Sequence, residues 1–405
     1  MLGVGQPKNS SLRRLGDANF VSRFILVSGL LLLPLQFVKI SIAQPVHLWL
    51  IVTLVVLSLM RSLPVTGFEA VIYLLFITFA LFDTYGTNYE RVKDSEQVLK
   101  FVLIYPGFFL VGRWIGTRFA KQPLPFGLLF LLGFLAIQYV VQSAEIPILW
   151  ERVSFMEGSL YGTFKERNWL AVYFFGLSYL IFLKERPTTF NSLKFFLFCL
   201  LVTALSNSKS VMVACGIVLL IRIRGRYAFK LVTIIAGAYL YAMQFSNELS
   251  EGAVQNRLDH ERGLAFSESV RLLGENIFGY GFGFVESYFS KYAIGVQGLG
   301  AGVNSVFSAP LDLFLIAGPV GLLCWAVFFA GLGVRSVGLL APFAAWSLLA
   351  PLHQSEISYL FSGILVSWGL AGRAARSKII LRSDDLAPAP PSRMYVLGKR
   401  VGDPT

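Results

Sequence analysis

Long apolar runs alternate with short polar links along nearly the whole chain, and the runs have the length that a bilayer crossing needs. Such windows cover 24–42, 46–60, 66–83, 97–115, 125–143, 168–184, 193–207, 210–222 and 229–246. Each reads as a helix, because backbone amides in hydrocarbon must be satisfied within their own segment. Two windows carry prolines, Pro34 and Pro106, which a bundle tolerates when neighbours satisfy the freed carbonyl. One long polar excursion, 247–308, interrupts the series and holds Arg257, Asp259, His260, Glu261, Arg262, Glu268, Arg271, Glu275, Glu286 and Lys291. It cannot lie in hydrocarbon, so it must form a structure with short helices on one membrane face. Beyond it the runs 305–317, 319–334, 337–352 and 356–371 are apolar again.

With 55% hydrophobic and 14% charged residues over 405 positions, a soluble globular protein is excluded and a polytopic, all-α membrane protein is expected. The net charge of +12 finds no compact basic domain with interleaved aromatics, so nucleic acid is not an expected partner. The distribution of that charge sets the orientation instead. Lys8, Arg13, Arg14 and Arg23 precede the first run, which is read as an uncleaved first helix. With a cytoplasmic amino terminus, Arg61 and the basic segments 113–121, 184–194 and 222–230 all fall inside, as lysine and arginine placement requires. A crossing by 305–317 would put Arg335 and the basic tail outside. That run is therefore expected to dip, or to lie at the outer interface, and to end at the Gly318–Pro319 break. Twelve spans result, with both termini cytoplasmic, one transmembrane domain over 1–371 and outer loops at about 144–167 and 247–318. Inner segments then hold 23 of the 35 Lys and Arg but only 6 of the 23 Asp and Glu. The tail 372–405, with its Ala-Pro-Ala-Pro-Pro run, is expected to be disordered.

Cys199, Cys215 and Cys324 all sit in apolar runs and read as small core residues. His47, His260 and His353 are too scattered for a metal site, and no outer D-x-D pair is present, so neither a metal nor another cofactor is expected. The glycines at 279, 281 and 283 and at 295–302 follow no strand and end in no G-K-[ST], which excludes the dinucleotide and P-loop readings.

Four outer stretches carry recognisable spacing. Arg152 precedes Gly162-Thr-Phe164 and the Lys165-Glu-Arg-Asn168 start of a helix; Ser206-Asn-Ser-Lys-Ser210 sits at a helix junction. Arg262 lies seventeen residues before Gly279-Tyr-Gly-Phe-Gly283, and Phe307-Ser308 is followed, nine residues on, by Gly318-Pro-Val-Gly321. Together, over about 150–335, they resemble the O-antigen ligase and polymerase family. Lys209 stands where that family usually has arginine. Phe307 stands where its ligases carry a histidine, so the resemblance is closer to the polymerase branch. The resemblance implies transfer of a glycan from an undecaprenyl diphosphate carrier to an acceptor sugar hydroxyl, outside the bacterial inner membrane, by an inverting, metal-independent glycosyltransferase. Lipid is a partner by location, and the reading also allows a chain-length regulator and a flippase.

That chemistry needs fixed positive charge where the diphosphate leaves, and arginine's planar fork suits it. Arg152 and Arg262 are the leading candidates for that role; Arg257, Arg271 and Lys209 are further binding candidates, and the plain alternative is pairing with Glu151, Glu157, Glu261 or anionic lipid. Arg167 reads as a snorkelling side chain. For the acceptor, a base must reach a hydroxyl, and Glu157, Asp259, His260 and Glu286 are all open. Asn168 reads as a helix cap, with substrate contact as the alternative, and Ser308 as a glycan-binding position. A ligase acting on lipid A core or on protein, and a transporter or flippase with a gating loop, are the competing functions. Few ionisable residues fall in the runs, and Lys39, Glu69 and Lys100 lie near their ends, which weighs against transport.

Overall fold

The computed structural model describes residues 10–39, 43–86, 94–120, 124, 126–153, 156–184, 188–222, 237, 262–291, 305–332 and 337–384. The elements formed by these residues are helices. In chain order they are α1 (Ser10–Leu32), α2 (Pro45–Leu59), α3 (Gly67–Gly86), α4 (Asp94–Leu99), a π turn (Lys100–Ile104), α5 (Tyr105–Phe119), α6 (Leu128–Ser143), α7 (Arg167–Leu183), α8 (Thr189–Ser206) and α9 (Ser210–Arg222). Then come α10 (Arg262–Glu275), α11 (Phe284–Lys291), α12 (Ala309–Phe328), α13 (Val337–Ser347), a 3₁₀ turn (Leu352–Gln354) and α14 (Glu356–Asp384). Three helical stretches, Glu96–Phe119, Thr189–Ser206 and Ala309–Phe328, are long and apolar enough to cross a membrane, and eight shorter apolar helices accompany them. The apolar window 229–246 lies outside the described residues.

Burial sorts the helices into an inner and an outer set. On α7 nearly every side chain from Leu170 to Leu183 is buried, and α14 is buried all round from Ile357 to Trp368, which marks them as the centre of the bundle. Around them α2, α3, α6 and α8 expose Val52, Leu74, Leu129 and Leu197. Apolar side chains facing out on so many helices at once need an apolar surrounding, and this is the signature of a membrane protein.

The tightest packing joins α5 to α14. A Cβ on Gly112 would run into the Leu360 carbonyl and one on Gly363 into the Phe109 carbonyl, while Gly116 faces Ile364. Two glycines four apart let the backbones touch, which substitutes for the hydrophobic drive that is absent between helices in lipid. Replacing Gly112 by alanine is therefore expected to cost about 1–3 kcal/mol, since a carbonyl cannot swing aside as a side chain can. Gly216 has nothing within 4 Å, so Gly216→Ala should be tolerated. Thermal unfolding of the two variants in detergent compares them directly.

Local backbone departs from the sequence reading in three places. Helix α1 stops at Leu32, so Pro34 ends it instead of being absorbed, and 33–39 runs irregular. Pro106 is absorbed, at the start of α5, because the π turn before it shifts the hydrogen-bond ladder at the site of its missing N–H. Helix α14 continues to Asp384, past the Gly372 boundary at which disorder is expected; 385–405 lie outside the described residues.

Helix α12 breaks at Ala317 (φ −140°) and Gly318 (φ 57°). Gly321 then lies against the Leu313 carbonyl, where a Cβ would collide with the oxygen. In an unbroken helix those residues stand about 12 Å apart, so the two halves fold against each other. The carbonyls exposed by the break are satisfied from elsewhere: Tyr280 N–H donates to Leu315 at 2.8 Å and Gly281 N–H to Ile316 at 2.9 Å. This explains the glycines of 279–283. Gly279, Gly281 and Gly283 have φ of 95°, 85° and 81°, and a Cβ on Gly279 would sit 2.8 Å from the Ala317 amide.

A cationic cluster at one end of the bundle

Hydrogen bonds to three glutamine side chains fix the turn at which α7 starts. Gln142 Oε1 accepts from the Tyr161 and Gly162 amides at 2.8 Å each, and Gln138 Oε1 accepts from Thr163 N–H at 2.9 Å and its hydroxyl at 2.8 Å. Gln36, just past α1, accepts from the Lys165 amide at 2.9 Å, and its own amide donates to Thr163 at 3.1 Å. Gly162 is in the left-handed region (φ 55°) with Gln138 filling the space of a Cβ. The turn 160–165 is thus clamped by side chains one helical turn apart on α6 and by the segment after α1. It presents Lys165, Glu166, Arg167 and Asn168 in fixed positions. Asn168 does not cap α7, whose first residue is Arg167; its Oδ1 accepts from Ser208 at 2.9 Å. The 160–168 turn and the 206–210 junction therefore meet, with Leu160 N–H donating to Leu205 at 2.7 Å.

Lys39, Lys100 and Lys165 come together here from three separate segments. Burial lowers the pKa of Lys165, and the charges of Lys39 and Lys100 lower it further, against a smaller opposing pull from Glu356 and Glu96. Lys100 is held by Glu96 at 2.6 Å, and Glu356 lies 3.4 Å from His47. Among the described residues Lys165 has no carboxylate partner within salt-bridge distance. Glu166 is pushed up to about 7 by loss of water, with Arg167 pulling the other way, so its negative charge is only partial at neutral pH. Like charges beside a half-buried ammonium such as Lys165 lower its pKa until an anion joins them.

The helix α4 and its π turn link this cluster to the glycine loop and the break. Gln97 Oε1 accepts from Gly283 N–H at 3.0 Å, and the Phe101 ring lies 5.2 Å from Phe282. Phe101 also stacks on His353 at 6.2 Å. His353 and Asp312 are fully buried, with Nε2 and Oδ2 at 3.7 Å. Asp312 accepts from Ser305 Oγ at 2.5 Å and Val306 N–H at 2.8 Å. Burial holds the His353 pKa down to about 3, so the ring is neutral at physiological pH. Among the described residues neither ring nitrogen has a hydrogen-bond partner, nor have the buried hydroxyls of Ser355 and Ser358.

Of the arginines favoured from sequence, the two whose side chains are described, Arg152 and Arg271, are held by neighbouring carboxylates. Arg152 pairs with Glu157 at 2.9 Å on the surface, at 72% and 60% side-chain exposure, so neither belongs to a shielded site. Arg271 is tied to Glu268 (2.7 Å) and Glu275 and donates to Tyr288 at 2.9 Å, which raises the Arg271 pKa and uses up its fork on protein groups. Arg262 opens α10, and its side chain is not described; Arg257, Asp259, His260 and Glu261 lie outside the described residues. Lys209 sits in the turn before α9. Ser308 precedes α12 without a side-chain cap bond, and Glu286 is buried on α11. No protein-family model and no curated protein matches the chain. What could have exposed the lysines in advance is their position: under the topology expected from sequence, Lys39, Lys100 and Lys165 all depart from the inside bias of basic residues.

Proposed function

We propose that this protein is a membrane glycosyltransferase that lengthens a polysaccharide on an undecaprenyl diphosphate carrier, with twelve spans, cytoplasmic termini and the lysine cluster on the outer face of the bacterial inner membrane. The observation that carries the reading is the convergence of Lys39, Lys100 and Lys165 around a clamped turn. A lipid-linked diphosphate brings two negative charges to headgroup level, and the leaving bridging oxygen gains more as the sugar departs. Fixed ammonium groups stabilise that developing charge without reorganising. Lysines act here as point charges, so Arg167 beside them is the candidate for fork-like binding. The four stretches resembling the O-antigen ligase and polymerase family support the reading by pairing off in space, 160–168 with 206–210 and 279–283 with 315–318. A ligase would use the same cluster with another acceptor.

Transport is favoured by one observation, the buried ion pair between Glu69 and Arg113. The experiment that separates these readings is glycan analysis in cells carrying Lys39→Met, Lys165→Met or both. Under the polymerase reading the double variant stays in the membrane and yields single-repeat carrier-linked glycan. Free long chains on the carrier would point to the ligase, and wild-type chain lengths in the double variant would remove the cluster from the chemistry.

A further inference from the structure

Helix α10 leaves an apolar stripe uncovered, and its residues sort by angle into three faces. Ala265, Ser269 and Leu272 are buried in a small core with α11 residues and Leu315 of α12. Glu268, Arg271 and Glu275 line a second face and are bound to one another. Phe266 and Val270 lie on the side away from those charges, and Ile277 and Phe278 prolong their stripe past the end of the helix; Phe266 and Phe278 are each 59% exposed.

The stripe does not end there. Phe278 touches the break in α12, since a Cβ on Gly318 would lie 2.7 Å from the Phe278 Cα. Beyond the break Pro319 and Leu322 are exposed as well. Leu322 lies in the half of α12 after the break, within the apolar run 319–334 that the sequence reads as a crossing. The uncovered face of α10 therefore runs on to the uncovered face of a candidate span, and one apolar medium can cover both. A separate protein partner would have to end at the point where lipid begins.

We propose that Phe266, Val270, Ile277 and Phe278 lie in the membrane interface, with acyl chains as their partner, so that α10 is an interfacial helix with its charged side turned to water. This placement does not depend on the transferase reading. It fixes the glycine loop, which follows the stripe directly, at the level of the headgroups.

The test places a nitroxide at Phe266→Cys and, separately, at Glu275→Cys in the full chain, reconstituted in phosphatidylethanolamine and phosphatidylglycerol nanodiscs. Cys199, Cys215 and Cys324 are buried, so labelling is confined to the new thiol. The proposal expects oxygen, which concentrates in lipid, to relax the label at 266 several-fold more than a water-soluble nickel chelate does, with the order reversed at 275. Equal access of the chelate to both positions overturns it, because the stripe then faces water. A label at 266 reached by neither reagent also overturns it, because protein then covers the stripe, whether a second copy or another segment of this chain. Val270→Cys, also on the exposed stripe, repeats the measurement should Phe266→Cys fold poorly.

Discussion

Arg113→Met alone is expected to destabilise the folded protein by about 3–5 kcal/mol, because it leaves Glu69 buried with no counter-charge. The pair joins Glu69 in the first turn of α3 to Arg113 in the middle of α5, at 9% and 5% side-chain exposure. Removing one member strands the other; removing both does not. Arg113→Met with Glu69→Gln should regain most of the loss, since neutral groups of similar size fill the same space. Unfolding of single and double variants in one detergent gives the coupling, and additive losses would mean that the pair contributes no interaction. The same double variant speaks to function. A transporter that uses the pair would fold and lose transport, whereas the transferase reading expects chain lengths to survive, because Arg113 lies thirteen residues along the helix from Lys100, about 20 Å away.

That pair also shows where sequence reading stops. Counting Arg113 as an inner positive charge was sound as statistics, yet the structure neutralises it with a carboxylate 44 positions earlier. Spacing along the chain cannot reveal a partner so remote. What could be read was what depends on local composition: the windows between 46 and 222 match helices, whereas 24–42 agrees only as far as Leu32, and the break at 317–318 follows from glycine beside proline. The two short helices α10 and α11 in the polar excursion were legible for the same reason. Some signals were present but unread. Gly112 and Gly116, four apart in an apolar run, announce a close helix contact, and Gln36, Gln138 and Gln142 in or beside apolar runs announce buried hydrogen bonds. Polar amides in such places are expensive unless they hold something, and these hold the turn that carries Lys165. Arg152 has the planar fork that suits phosphate, but its surface position beside Glu157 is set by a loop fold that no periodicity encodes.

A soluble diphosphate diester, whose two charges do not titrate near neutrality, is expected to stabilise the purified protein by an amount that fades as pH rises. The sign follows from Lys165. Its pKa in the folded chain lies below the unfolded value, mainly through burial and then through Lys39 and Lys100, so the free protein gains stability as pH rises through that range. An anion at the cluster offsets the repulsion and restores the proton, so its benefit is greatest below the folded pKa and declines above it. At 100 times the dissociation constant the gain is about 2.7 kcal/mol. Glu166 adds a second limb: with a pKa raised to about 7, it becomes more negative above neutrality and weakens anion binding there, while below it the site is more positive. In Lys39→Met one repelling charge is gone, so binding weakens overall but the alkaline limb moves to higher pH. In Lys165→Met that limb disappears. Thermal unfolding across pH with and without the diester reads all three variants. An equal gain in wild type and Lys165→Met would show that the anion binds elsewhere, since the alkaline limb comes from the Lys165 ammonium.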